Sequence, residues 1–72
     1  MIDIAIKRSA QSVLHQANFP RDEARRIGEQ IAQSLTQPGA YQLAADHYAT
    51  SDEFEIGERV AREYLCALTS PA

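Results

Sequence analysis

Apolar side chains recur at helical spacing along most of the chain. In the second quarter they follow at intervals of three, four and four residues: Ala24, Ile27, Ile31 and Leu35. A helix has 3.6 residues per turn, so this spacing places them on one face. Pro20 is favoured at a helix start, and Pro38 with Gly39 at a helix end. The pattern predicts a helix over about residues 20–36.

The last third of the chain predicts a longer amphipathic helix. Thr50 and Glu53 have the spacing of a capping box, in which each side chain accepts a hydrogen bond from the other residue's backbone N–H. Ser70 and Pro71 are expected to end the helix. Its apolar stripe covers about half of the cylinder, and such a wide face predicts contact with more than one neighbour. We therefore expect these residues to form the interface of a homodimer: Phe54, Ile56, Val60, Tyr64, Leu65 and Leu68.

Two further segments complete the predicted fold. Residues 40–49 indicate a short helix with Tyr41 and Tyr48 on one face. The first segment fits a helix over about residues 3–17, but isoleucines alternate over residues 2–6 as in a short strand. We favour the helix because so short an alternation is weak evidence. The prediction is one all-α domain over residues 1–72, a small bundle of three to four short helices forming two helical hairpins, with a possible short N-terminal strand.

One heptapeptide nearly repeats. Residues 27–33 read IGEQIAQ and residues 56–62 read IGERVAR, with four identical positions. A glycine inside a helix costs about 0.5–1 kcal/mol relative to alanine. Gly28 and Gly57 therefore predict close approach of another backbone, and chance is the alternative. A true duplication of the two halves stays open.

Composition limits the class of protein. Seventy-two residues make one small domain, and the single cysteine excludes an intramolecular disulfide and any multi-cysteine metal framework. No apolar run approaches the roughly 18–20 residues of a membrane-spanning helix. At the N-terminus the charges follow the apolar residues, which is the reverse of a secretory signal. We expect a cytoplasmic protein that does not enter a membrane.

Charge is unevenly placed along the chain. Residues 1–36 carry a net charge of +1 and residues 37–72 a net charge of −4, which together give −3. This is too weak for a DNA mimic and has the wrong sign for a general nucleic-acid binder. It favours an acidic surface that meets a basic patch on another protein.

No constellation indicates catalysis or metal binding. His15, Asp46, His47 and Cys66 would have to converge from three segments, with no spacing typical of a metal site. The serines lack a nucleophile motif, and the carboxylates stand at helical spacing beside arginines, as in surface ion pairs. We expect no enzyme, no cofactor and no bound metal.

An alternative uses the basic residues of the first half: Lys7, Arg8, Arg21, Arg25 and Arg26. If residues 2–6 were a strand, the order strand, helix, turn, helix resembles a ribbon-helix-helix repressor or antitoxin. That resemblance implies a dimeric DNA-binding regulator whose two-stranded ribbon enters the major groove. Asp3 would then face the DNA, which is unfavourable.

The preferred interpretation is a non-enzymatic helical protein that binds and regulates another protein. Chains of this size without a catalytic constellation are commonly inhibitors, antitoxins or assembly factors of bacteria and phages. Tyrosine is enriched among interface anchors, and acidic side chains steer association with a basic partner. The predicted partner-binding residues are Tyr41, Tyr48, Glu55, Glu58 and Glu63.

Overall fold

A computed structural model describes residues 2–69, which form four helices. These are α1 (Ile2–Gln16), α2 (Arg21–Leu35), α3 (Ala40–Tyr48) and α4 (Glu53–Thr69). The predicted all-α class is confirmed. The alternative strand over residues 2–6 is wrong, because these residues are helical and Ile6 enters the core on the same helical face as Ala10. The predicted helix end at Ser70 and Pro71 lies outside the described residues.

Helix α1 lies between α2 and α4 and supplies the centre of the core. Its buried apolar residues are Ile6, Ala10, Val13 and Leu14. Helix α2 runs antiparallel to α1, while α4 runs parallel to it and reaches Phe19 with its C-terminal end. Helices α2 and α4 touch each other only slightly, and α3 packs lightly on both. The first two helices thus form a hairpin, whereas α4 packs chiefly on α1.

The repeated heptapeptide explains how two helices approach α1 so closely. A β-carbon on Gly57 would lie 2.8 Å from the carbonyl oxygen of Ile6, and one on Gly28 would lie 3.2 Å from that of Lys7. The predicted close approach of another backbone is therefore confirmed at both glycines. The two heptapeptides pack on one helix in opposite directions, and each places its glycine against the α1 backbone.

Local backbone chemistry sets the helix ends. After α1, Asn18 adopts the left-handed conformation with φ 68°, and the N–H of Phe19 donates to the carbonyl of Leu14 at 3.1 Å. At the start of α4, a carboxylate oxygen of Asp52 accepts from the N–H of Phe54 at 2.9 Å and from that of Glu55 at 3.2 Å. Asp52 is therefore the N-cap. The predicted capping box of Thr50 and Glu53 is wrong by two residues.

Candidate binding surface

Helix α4 divides its apolar residues between the core and the surface. Ile56 and Ala61 are fully buried against α1, and Val60 and Tyr64 pack against the same core. Ile56 therefore has no surface to offer a second chain, and its prediction as a homodimer residue is wrong. The apolar half of α4 is wide because it serves the chain's own core as well as a surface.

The remaining apolar residues form what we call the α4 edge: Phe54, Leu65 and Leu68. Leu65 follows Phe54 by eleven residues, or about three turns, and Leu68 follows Leu65 by about one turn. The three side chains therefore lie on one side of α4. Phe54 is 46% exposed and Leu68 is 57% exposed, while Leu65 is half-buried. Leu65 packs against the core as Val60 and Tyr64 do, so Phe54 and Leu68 are the two exposed members of the edge.

A groove of about 450 Å³ opens beside the α4 edge. It arises because α1 ends at Gln16 while the parallel helix α4 continues past that end. The last turns of α4 therefore extend past the end of α1 and lie beside Ala17 and Phe19. The groove is lined mainly by apolar side chains: Ala17, Phe19, Arg62, Leu65, Cys66 and Leu68. The thiol of Cys66 is exposed here.

Acidic side chains stand along the outer side of α4. Glu55 lies 3.7 Å from Arg59, one turn further on, and both remain partly exposed. Glu58 is half-buried and follows Glu55 by three residues, so the two carboxylates lie on neighbouring positions of the helix. Arg59 and Arg62 stand one turn after these two glutamates, and Arg62 also lines the groove, so the border of the α4 edge carries both signs of charge.

The two tyrosines predicted to bind a partner instead form hydrogen bonds from α3 to other parts of the chain. The hydroxyl of Tyr41 donates to the carbonyl of Ser51 at 2.8 Å, and the hydroxyl of Tyr48 donates to the carboxylate of Glu63. His47 also approaches this carboxylate, at 3.8 Å. Partial burial, followed by the nearby carboxylates of Glu53 and Asp52, raises the pKa of Tyr41 above its usual 10.0. Four of the five predicted partner-binding side chains thus already hold contacts inside the chain: Tyr41, Tyr48, Glu55 and Glu63.

The other candidate residues do not converge. His15 lies on α1, His47 on α3 and Cys66 on α4. Within residues 2–69 no group of three histidine, cysteine or acidic side chains is placed to hold a metal ion, and none of the four helices is long and apolar enough to cross a bilayer. Comparison of the chain with protein-family models, with curated proteins and with solved structures gives no match.

Proposed function

We propose that this chain is a non-enzymatic protein that regulates another protein by binding it along the α4 edge. The observation that carries the proposal is the apolar groove, which the exposed Leu68 lines together with Phe19 and Leu65. The exposed Phe54 lies on the same side of α4, about four turns away. Interfaces of this kind take most of their affinity from a few large apolar anchors that fill pockets. A groove between two helix ends also suits an amphipathic helix of a partner.

The charge around the edge favours a partner with basic residues beside its apolar segment. Glu55 and Glu58 border the edge beside Arg59 and Arg62, and the net charge of −4 in the second half of the chain leaves the balance acidic. Complementary charge at the rim of an interface speeds association and selects partners. The partner we propose is thus a protein whose apolar anchor is flanked by lysines or arginines, with this chain acting as its inhibitor, antitoxin or assembly factor.

A second copy of the chain is the other occupant that the α4 edge could take, as in the homodimer predicted from sequence. Its interface would now rest on Phe54 and Leu68, because Ile56 is buried and the other three residues, Val60, Tyr64 and Leu65, pack on the core. Sedimentation of the purified chain separates the two cases. If the chain sediments as a monomer at high micromolar concentration, a second copy does not occupy the edge, and a different protein remains as the proposed occupant.

The ribbon-helix-helix alternative is not proposed. It needs a strand at residues 2–6 to enter the major groove, and these residues form the first turns of α1.

The experiment is affinity capture from the native host, followed by reconstitution with the purified captured protein. Reversing the charge of Glu55 and Glu58 to lysine should slow association with that protein and leave the fold intact. Arg25→Ala with Arg26→Ala, on α2, is the control and should associate at the wild-type rate. If the control abolishes binding and the charge reversal does not, the proposed surface is wrong.

A further inference from the structure

The densest group of cationic side chains in the described structure lines a cleft between α1 and α2. Helix α1 contributes Lys7, Arg8 and His15, and helix α2 contributes Arg21 and Arg25. The cleft has a volume of about 280 Å³, and its remaining lining residues are Gln11 and Ala24. No acidic residue lines it. Sequence positions as distant as 7 and 25 meet here because the hairpin is antiparallel.

We propose that this cleft binds phosphate groups. Four side chains that carry full positive charge converge on one opening without a carboxylate among them, although Glu29 pairs with Arg25 from outside the lining at 3.7 Å. The planar guanidinium groups of arginine match phosphate oxygens with paired hydrogen bonds. Most of the charged heads are exposed, so a ligand reaches them without unfolding the hairpin.

The residues that line the cleft also favour phosphate groups over other anions. An acidic peptide takes much of its affinity from apolar anchors, and this cleft offers it a single aliphatic side chain, that of Ala24. A phosphate-bearing polyanion needs charge alone. The lining contains no aromatic side chain on which a base could stack. Binding is therefore independent of base sequence, and a nucleic-acid backbone and a free polyphosphate present the same chemistry.

The net charge of the whole chain does not reveal this basic cleft. The sequence-based expectation that nucleic acid is not a partner rests on the chain's average of −3. The cleft draws only on α1 and α2, while six of the ten acidic residues lie on α3, α4 and the loop before α4. Asp22 and Glu29 remain on α2 next to Arg25 but outside the lining of the cleft. At physiological salt, screening over about 8 Å makes the local charge more important than the distant acidic residues.

The test is a fluorescence titration of the full chain with a labelled, short, mixed-sequence single-stranded DNA, with tripolyphosphate as a second phosphate ligand. Four cations that each neutralise a phosphate give a log–log salt slope of about −3, which means about 50-fold weaker binding at 200 mM than at 50 mM salt. Replacing Arg8 and Arg21 by glutamine removes two of these four cations, so the slope should become shallower, at about −1.5.

The matched control replaces Arg59 and Arg62, on α4, by glutamine. It removes the same charge from a surface that does not line the cleft, and it should keep the wild-type affinity and slope. Circular dichroism of both double variants should match the wild type. Binding of tripolyphosphate without binding of DNA would keep the phosphate site and assign it to a small ligand.

Three results would overturn the proposal. The first is equal loss of affinity in the two double variants, since that reflects net charge alone. The second is an oligoglutamate of equal charge that binds as tightly as the DNA. The third is no binding of either phosphate ligand at low salt and high micromolar protein. None of these results bears on the α4 edge, so the two proposals fail independently.

Discussion

Gly57 of α4 lies directly against the backbone of Ile6 in α1, where a β-carbon at position 57 would come within 2.8 Å of the Ile6 carbonyl oxygen. The hydroxyl of Ser9, which is fully buried, lies on the same spot and donates to that carbonyl at 3.1 Å. Serine and carbonyl therefore satisfy each other within α1. Position 57 favours glycine because the Ile6 backbone cannot move without disturbing α1, and the Ser9 hydroxyl can turn away only by losing its hydrogen bond.

The first prediction is that Gly57→Ala destabilises the chain by about 1–3 kcal/mol, since overpacking outweighs a helix-propensity gain of up to about 1 kcal/mol. Gly28→Ala is the matched control. Its β-carbon would meet the flexible side chain of Gln11 at 2.7 Å and the Lys7 carbonyl oxygen at only 3.2 Å, so it should cost much less. Chemical denaturation measures both. Two variants that are each more stable than the wild type would show that the close contacts are not as described.

The second prediction concerns the division of α4 between core and surface. Ile56→Ala should cost about 2–5 kcal/mol of unfolding free energy, because Ile56 is fully buried and leaves a cavity. Phe54→Ala, two residues away, should cost less than about 1 kcal/mol because Phe54 is 46% exposed. The same denaturation experiment compares them. Equal losses of unfolding free energy in the two variants would mean that α4 is rotated about its axis relative to this structure.

The third prediction tests the start of α4. Asp52→Ala should destabilise by about 0.5–2 kcal/mol, because it removes the acceptor for two backbone N–H groups. Thr50→Ala removes only an acceptor for the N–H of Asp52, at 3.1 Å, and should cost less. If thermal melts show that Thr50→Ala is the less stable of the two variants, Thr50 is the N-cap, as the capping box predicted from the sequence requires.

The fourth prediction is a pH dependence at Tyr41. Its pKa in the folded chain is raised above 10.0 by partial burial and by Glu53 and Asp52, so the folded state holds the phenol proton more tightly than the unfolded state does. The stabilisation is therefore present below about pH 10 and is lost as the pH rises through the raised pKa. The difference between phenolate absorbance titrations of the wild type and Tyr41→Phe should have its midpoint above pH 10. A midpoint at or below 10 would contradict the contacts assigned to Tyr41.

Sequence patterns predicted the four helices because each has its own stripe or breaker, as Ala24 to Leu35 and Pro20 illustrate. They also predicted the close contacts at the two glycines. They could not assign Ile56 to the core, since a stripe half a cylinder wide does not tell which part faces α1. The N-cap was misplaced because residues 50–52 are three consecutive candidates.

The candidate surfaces needed the tertiary structure for a different reason. The basic cleft depends on the register of the α1–α2 hairpin, and the groove beside Leu68 depends on α4 running parallel to α1 beyond its end. Neither relation is local in sequence. The hydroxyl contacts of Tyr41 and Tyr48 with Ser51 and Glu63 are likewise tertiary, and spacing alone could not reveal them.

The central claim is that a protein partner binds along the α4 edge, and two leucines provide the most direct measurement. Leu68 is 57% exposed on the edge and Leu43 is 73% exposed on α3, so neither substitution by serine should unfold the chain. The affinity of each variant for the purified captured protein is measured by titration calorimetry. We predict that Leu68→Ser weakens binding by at least about tenfold, which corresponds to about 1.4 kcal/mol, and that Leu43→Ser binds like the wild type. Equal affinities of the two variants, or a loss confined to Leu43→Ser, would contradict the claim.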